Sequence, residues 1–335
     1  MENIHLVIAD LFLPRDFAAA GCADLRLPAL EKMLSRGHAE IRDAVPLENL
    51  LCEMFGVPCH AKAPVAPVSA VFDGLGEGCW LRADPAHLYL QRDQLVLQPV
   101  MAISPEEAGQ FCTSLNEYFA GQGMEFFAPH SRRWYVRLDR LADIITTPLS
   151  QAAGRNIRGL LPKGDGAMHW HRVFNEIQML LFAHPANEAR EARGELPVNS
   201  VWLWGGGASS MLQQTYDSAS SDNILVEMLA AASDTPFAEW SGQWRHDGSN
   251  GKQLLVFAGL QLAAQDGDLA VWRAALQSFE AGYAQPLWQA LRSGKISRLQ
   301  VDVLGGDNAR RILLTRADAW AFWRRAKPLA DYSMV

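Results

Sequence analysis

Two polar side chains that could bind an anion, Asn187 and Arg190, lie three positions apart in the segment 184–194, whose polar and charged residues predict a loop. An arginine guanidinium can bind a phosphate or a carboxylate through two parallel hydrogen bonds. The alternative is a structural role, in which Arg190 forms ion pairs with its neighbours Glu188 and Glu191. The residue types alone leave both roles open.

Two further charged residues are candidates for ligand binding. Asp10 follows the apolar run 4–9, which is typical of a buried parallel strand, and ligands of open α/β sheets gather at the carboxyl ends of such strands. Arg133 follows Arg132 and could contact an anion, although a pair of solvated surface charges is the alternative. The candidate ligand-binding residues are therefore Asp10, Asn187, Arg190 and Arg133.

Composition excludes several classes of partner. The chain has 335 residues, 49% of them hydrophobic, and a net charge of −7, which argues against nucleic acid bound through charge. Its sequence contains no apolar run of about 18 residues, so we expect no membrane partner. The N-terminus lacks the features of a signal peptide, and the five cysteines lack CxxC spacing. These features predict a cytoplasmic protein with reduced thiols.

The elements that must position the candidates follow from hydrophobic patterning. Val201–Trp204 is a short apolar run that predicts a buried strand, and the three glycines 205–207 favour close strand packing or a tight turn over an anion-binding loop. Residues 78–140 predict a β–α–β–β segment. Residues 169–183 carry apolar side chains at helical spacing and predict an amphipathic helix.

Five other segments give weaker patterns. The proline-rich residues 58–68 predict a connector, and 268–288 predict one long amphipathic helix. Apolar and polar residues alternate in 296–303 and 311–314, which predicts two edge strands. A last helix is expected to carry Trp320, Phe322 and Trp323.

The segment from His184 to Gly207 also matches a family motif. Its residues fit H-P-x-N-x-x-R followed by P-x-N-x-x-W-L-W-G-x-G. This segment resembles the archaeal-type cofactor-independent phosphoglycerate mutases and their bacterial "regulatory protein" relatives, which belong to the alkaline phosphatase superfamily. Weaker matches occur in the same order along the chain, at the strand that ends in Asp10 with the helix Leu27–Gly37, at the hairpin Trp80–Pro85 and at Gln261–Asp268.

The resemblance implies an α/β fold with an alkaline-phosphatase-like core around a central, mostly parallel sheet, plus an inserted α+β domain. We place the discontinuous core at 1–68 and 196–335, and the inserted domain at 69–195. In the mutases such a core carries two metal ions and a serine that is transiently phosphorylated.

The chain departs from the family at the positions that would do this chemistry. Residues 37–68, where the nucleophile is expected, contain no serine or threonine. Gln261 and Gln265 stand where the family has an aspartate and a histidine, and no histidine follows His246. Neutral amides cannot offset the charge of two divalent ions. We therefore expect no catalytic residue, no metal site and no cofactor.

These observations predict a non-catalytic regulatory or ligand-binding homologue of the mutases. Its expected partner is a small anionic ligand or another protein. The alternative is an active metal-dependent phosphoglycerate mutase or phosphatase with a rearranged site. A third possibility is a structural protein that docks a partner through a tryptophan-rich surface, which would leave an exposed apolar patch.

Overall fold

The computed structural model describes residues 2–13, 15–57, 63–100, 102–246, 248, 250–305 and 308–333. The chain divides into two compact units. One, here called the discontinuous unit, consists of Met1–Leu50 and Gln213–Val335. The other, here called the inserted unit, is Leu51–Leu212. Compared with the boundaries placed from the sequence, residues 51–68 and 196–212 thus fall in the inserted unit.

The described residues form twelve strands. In chain order they are β1 (Glu2–Ile8), β2 (His38–Asp43), β3 (Cys79–Gln91), β4 (Gln94–Pro99), β5 (Met124–His130), β6 (Arg133–Leu138), β7 (Ser200–Ala208), β8 (Ser218–Ser221), β9 (Phe237–Glu239), β10 (Lys252–Phe257), β11 (Ile296–Val303) and β12 (Asn308–Thr315).

The same residues form fourteen α-helices. In chain order they are α1 (Arg15–Cys22), α2 (Pro28–Arg36), α3 (Leu47–Met54), α4 (Val65–Phe72), α5 (Pro105–Tyr118), α6 (Leu149–Ala152), α7 (Ala167–Phe182), α8 (Pro185–Ala192), α9 (Ile224–Ala232), α10 (Gln261–Asp266), α11 (Leu269–Phe279), α12 (Gln285–Ser293), α13 (Arg316–Ala319) and α14 (Ala330–Ser333).

The discontinuous unit is built on a seven-stranded, mostly parallel sheet with the order β2-β12-β11-β1-β10-β8-β9. Strand β1 runs parallel to both neighbours, with Leu6 opposite Leu255 of β10 and Val301 of β11. A strand in this position is covered on both faces, which explains why the run 4–9 is apolar apart from His5, a buried residue that binds Asp302. The predicted α/β fold with a mostly parallel central sheet is confirmed.

The prediction of two C-terminal edge strands is wrong. Strand β11 lies between β1 and β12, and β12 lies between β11 and β2, so the edges are β2 and β9. Polar residues alternate in β11 because Asp302 is buried in a polar network, where it accepts hydrogen bonds from His5 and Arg311. The edge strand β2, exposed along its whole length, was not predicted from the sequence.

Three helical predictions need correction. The connector expected at 58–68 contains the first turn of α4, which begins at Val65, whereas 58–62 lie outside the described residues. The long helix expected at 268–288 is interrupted by a π-helical segment, Glu280–Ala284, between α11 and α12. The last helix, α13, ends at Ala319, so the three aromatic residues assigned to it lie beyond its end.

The inserted unit contains a five-stranded antiparallel sheet. Its path is β4-β3-β6-β5, and β7 pairs with β3. The predicted β–α–β–β segment is confirmed, because β3, α5, β5 and β6 follow one another along the chain, with β4 completing a hairpin with β3. The sequence placed β7 with the discontinuous core, but a four-residue apolar run does not specify which sheet it joins.

Candidate functional site

Asp10 lies just beyond the carboxyl end of β1, in the discontinuous unit. Its φ is 53°, a left-handed conformation that is uncommon outside glycine. The flanking backbone is held on both sides, because Ala9 donates to the carbonyl of Phe257 at 2.9 Å and Leu11 donates to that of Leu304 at 3.2 Å. These bonds to the neighbouring chain segments fix Asp10 at the edge where ligands of parallel sheets bind.

A second carboxylate, Asp222, follows strand β8 at the same edge of the sheet. Its Oδ1 accepts a hydrogen bond from the backbone of Ala258 at 2.8 Å. Burial raises the pKa of this carboxyl above its usual value, although backbone hydrogen bonds oppose the shift. Asp222 was not predicted from the sequence. It could have been found as Asp10 was, because it is also an aspartate directly after a short strand.

The loop predicted at 184–194 is wrong, because Pro185–Ala192 form helix α8, with Pro185 in its first turn and His184 as its cap. Asn187 lies on α8 in the inserted unit and is buried. Its amide nitrogen donates to the carbonyls of Leu181 at 2.7 Å and Val198 at 2.9 Å, and its oxygen accepts from the nitrogen of Val198 at 2.8 Å. These three bonds tie the end of α7 to the residues that precede β7. The nitrogen and the oxygen of this amide are thus both bonded to backbone groups.

Arg190 is buried one turn further along α8, with 1% of its side chain exposed. Its Nε donates to the carbonyl of Leu196 at 2.9 Å, and its Nη1 donates to Glu107 at 3.0 Å. A second carboxylate, Glu195, lies 3.5 Å from the same nitrogen. The ion pairs expected with Glu188 and Glu191 are replaced by pairs with these two residues, which lie outside α8.

Arg133 begins β6 and is also paired within the inserted unit. Its Nε and Nη2 donate to the two oxygens of Asp73 at 2.8 and 2.7 Å. The hydroxyl of Tyr135 donates to the same carboxylate at 2.5 Å. Burial would raise the pKa of Asp73, but these hydrogen bonds and the charge of Arg133 hold it below its usual value.

A second arginine–aspartate pair contacts the same tyrosine. Arg82 donates to Asp84 through Nε at 3.0 Å and Nη2 at 2.6 Å, and Trp204 donates to the other oxygen of Asp84 at 2.7 Å. The guanidinium of Arg82 lies over the rings of Tyr135 and Trp204, 5.1 and 5.4 Å from their centroids. Such stacking suits a delocalised cation. We call Arg82, Arg133, Asp73, Asp84 and Tyr135 the arginine cluster.

Cations dominate the electrostatics beside the arginine cluster. The pKa of His130 is lowered by burial and by the charges of Arg133, Arg132 and Arg82. Arg132 is exposed, and its backbone nitrogen donates to Nδ1 of His130 at 3.2 Å. Asp73 and Asp84 already pair with Arg133 and Arg82, so the exposed Arg132 is the cation of this group that an added anion could approach.

The candidates thus fall into separate groups. Asp10 lies in the discontinuous unit, whereas Asn187, Arg190 and Arg133 lie in the inserted unit. Within the inserted unit, Arg190 pairs with Glu107 and Arg133 pairs with Asp73. Sequence analysis missed Asp73, Arg82 and Asp84. The signal for the last two was a pair of charges, two positions apart, inside an otherwise apolar strand.

Comparison with known proteins identifies relatives of the chain. No protein-family profile matches it. A protein of Geobacter sulfurreducens named probable 2,3-bisphosphoglycerate-independent phosphoglycerate mutase is 25% identical over 207 residues, covering 57% of this chain and 51% of that protein. A 2,3-bisphosphoglycerate-independent phosphoglycerate mutase of Methanothrix thermoacetophila is 30% identical over 115 residues, covering 34% of this chain and 29% of that protein.

The chain is related to the cofactor-independent phosphoglycerate mutases. The relationship inferred from the motif at His184–Gly207 is thereby confirmed. The chain spans about half the length, or less, of these curated mutase relatives.

The fold is shared with a solved structure. The PH0037 protein from Pyrococcus horikoshii superimposes with a TM-score of 0.56 at 14% identity, covering 98% of this chain and 92% of that one. In the part of the chain that the structure describes, no helix combines the length and apolar character needed to cross a bilayer.

The two-metal centre that the mutase relationship implies can be tested against the donors present. Gln261 and Gln265, at the family's ligand positions, lie on α10. Within the described ranges, no group of three or more His, Cys, Asp or Glu side chains could hold a metal ion. His60 and Asp307 fall outside those ranges. The donor set that is described therefore does not fit a two-ion centre.

Proposed function

We propose that this chain is a non-catalytic, ligand-binding homologue of the phosphoglycerate mutases with a regulatory role. The observation that carries the proposal is the chemistry of the donors at the mutase-like positions. Amides occupy two of these positions, at Gln261 and Gln265, and the segment 37–68 supplies no hydroxyl nucleophile. Phosphoryl transfer depends on cations that stabilise the developing charge and on an activated nucleophile.

The proposed ligand is a small phosphorylated or carboxylated anion, bound in the inserted unit beside Arg133 and Arg132. Support comes from the three arginines whose charges act on His130. Asp73 and Asp84 fix Arg133 and Arg82 in place, so these cations are already ordered before an anion arrives. Pre-ordered donors lose less conformational entropy on binding.

Asn187 and Arg190 take a positioning role in this proposal. Their hydrogen bonds hold α8 against the residues that precede β7, the strand that pairs with β3 and carries Trp204 beside Asp84. Asp10 is kept as a separate candidate at the edge of the parallel sheet. In this proposal, the motif shared with the mutases stabilises the fold of the inserted unit and does not contact the ligand.

The catalytic half of the proposal is tested by activity and metal content. Purified chain incubated with 3-phosphoglycerate and Mn²⁺ is expected to form no 2-phosphoglycerate, and elemental analysis is expected to find no stoichiometric metal. Turnover that depends on Mn²⁺, or two bound ions per chain, would establish the rearranged enzyme instead.

The binding half is tested by calorimetry with 3-phosphoglycerate and with inorganic phosphate. Arg132→Gln is expected to weaken binding by about tenfold or more, the effect of losing one charged hydrogen bond of roughly 1.5 kcal/mol or more. Arg137→Gln is the matched control, because Arg137 is an exposed arginine on β6, the strand that follows Arg132, and it pairs with Glu125. Flat heats at millimolar concentrations of both anions, or equal losses in the two variants, would contradict the assignment.

A further inference from the structure

An unusual concentration of exposed aromatic rings follows helix α13. The exposed fractions are 50% for Trp320, 79% for Phe322 and 69% for Trp323. The rings of Phe322 and Trp323 pack edge to face, with their centroids 5.3 Å apart. Scattered exposed apolar residues are ordinary, but adjacent large rings mark an interaction surface.

The backbone that carries these rings is held in place. Ala321 is buried, so its side chain points inward while its neighbours project outward. Arg36 donates to the carbonyl of Ala319 at 3.2 Å and to that of Arg324 at 3.3 Å, which brackets the segment. The nitrogen of Arg324 donates in turn to the carbonyl of Ala321 at 3.0 Å. The rings therefore project from an ordered turn.

Cations surround the rings. Arg292 lies over the ring of Trp320, 4.4 Å from its centroid, and Arg316, Arg325 and Lys327 are exposed. The only acid in the segment 316–327, Asp318, is buried and already binds Thr315 and Arg324. The segment is thus positive in a chain whose net charge is −7. We call Trp320, Phe322, Trp323, Arg325 and Lys327 the aromatic–basic patch.

The chemistry of this patch matches one kind of partner. Rings that protrude need a soft apolar medium or a matching cavity, and amphipathic tryptophan favours the boundary between water and lipid acyl chains. Arginine and lysine beside such rings attract anionic headgroups. An acidic protein would satisfy the charges, but it would have to supply a cavity for each protruding ring.

We propose that the aromatic–basic patch docks the chain peripherally on an anionic lipid bilayer. Phe322 and Trp323 enter the headgroup region, and Arg325 and Lys327 contact the headgroup phosphates. From the sequence we expected no membrane partner, because no apolar run is long enough to span a bilayer, but surface docking of this kind needs no spanning segment. The inference is independent of the proposed anion site, which lies in the other unit.

Vesicle co-sedimentation of the full chain tests the proposal. The chain is expected to bind vesicles of phosphatidylcholine and phosphatidylserine in equal amounts, and to bind phosphatidylcholine alone weakly. Each cation near an anionic surface contributes roughly fivefold to partitioning, so Arg325→Glu/Lys327→Glu should reduce binding by at least about twentyfold. Phe322→Ala/Trp323→Ala should reduce binding by a similar factor, and its residual binding should be more sensitive to salt.

Matched controls separate the patch from general surface effects. Phe182→Ala removes an aromatic ring with 81% exposure from the inserted unit, and Arg155→Glu/Arg158→Glu reverses two exposed charges there. Both controls should bind vesicles like the unaltered chain. Circular dichroism verifies that every variant is folded.

Three results would overturn the lipid proposal. The first is no binding to anionic vesicles, and the second is binding that the patch variants leave unchanged. The third is binding of polyglutamate without binding of vesicles, which would identify an acidic polypeptide as the partner instead.

Discussion

Replacing Arg190 by alanine is expected to destabilise the inserted unit strongly, because this guanidinium is the buried connection between α8, α5 and the residues before β7. The change removes the donors to Glu107 and to the carbonyl of Leu196, while the side chain it removes is only 1% exposed. Glu107 is partly exposed and keeps Arg193 as a partner, so the loss is that of a charged hydrogen bond and of a buried donor to Leu196, not that of a stranded buried charge. The expected loss for Arg190→Ala is about 2–3 kcal/mol.

The assay is urea unfolding of the full chain, monitored by tryptophan fluorescence. Arg193→Ala is the matched control, because Arg193 donates to the same Glu107 from the surface, with 48% of its side chain exposed. Its loss should be much smaller. Arg190→Lys should fall between the two, since lysine keeps the charge but cannot donate in two fixed directions.

The refuting result separates a structural role from a ligand contact. If the free energy of unfolding of Arg190→Ala lies within about 1 kcal/mol of that of the unaltered chain, the loss is no larger than for a surface ion pair. Arg190 would then not stabilise the unit through a buried network. If the same variant also loses phosphate binding in calorimetry, Arg190 contacts the ligand directly and the positioning role is wrong.

Three further changes are expected to alter stability in the discontinuous unit. Burial would raise the pKa of Asp302, but its hydrogen bonds hold that pKa at about 2. About 2 kcal/mol of the free energy of unfolding should therefore be lost as the pH falls from about 4 to 2. Urea unfolding across this range should show this dependence of stability on pH, and Asp302→Asn should flatten it. Asp268→Ala should cost about 1 kcal/mol in thermal unfolding, because its carboxylate caps α11 by accepting from the nitrogens of two helical residues. Gly282→Ala should cost about 1–3 kcal/mol or more, because a Cβ at this position collides with the carbonyl of Gly242. Gly109→Ala is the control in the other unit, where an added Cβ would meet no neighbouring atom within 4 Å. This control should stabilise its helix by up to about 1 kcal/mol.

The sequence predicted elements well where one physical cause controls the pattern. The apolar run of β1 predicts a strand covered on both faces, and β1 is buried at the centre of the sheet between two parallel neighbours. Asp268 before a long apolar helix predicts a cap, and it accepts from the nitrogens of Ala270 and Val271. The glycines of β7 are explained by close packing, because a Cβ on Gly207 would lie 2.5 Å from Pro64.

Prediction failed where the decisive partner is remote in sequence. Glu107 lies 83 positions before Arg190, so local spacing favoured the wrong glutamates. The alternation in β11 suggested solvent, whereas Asp302 faces a buried histidine 297 positions away. Asp73 is the partner of Arg133, but no sequence pattern links an aspartate after one helix to an arginine that begins a distant strand.

The insertion of one unit within the other has a consequence for synthesis on the ribosome. Strand β1 is made before the inserted unit, yet both of its neighbours, β10 and β11, are made only after the whole of that unit. The inserted unit is continuous and can acquire its own antiparallel sheet while β1 waits without partners. An apolar strand that stays unpaired during this time is prone to aggregation. We therefore expect β1 to determine how strongly the folding of the chain depends on chaperones.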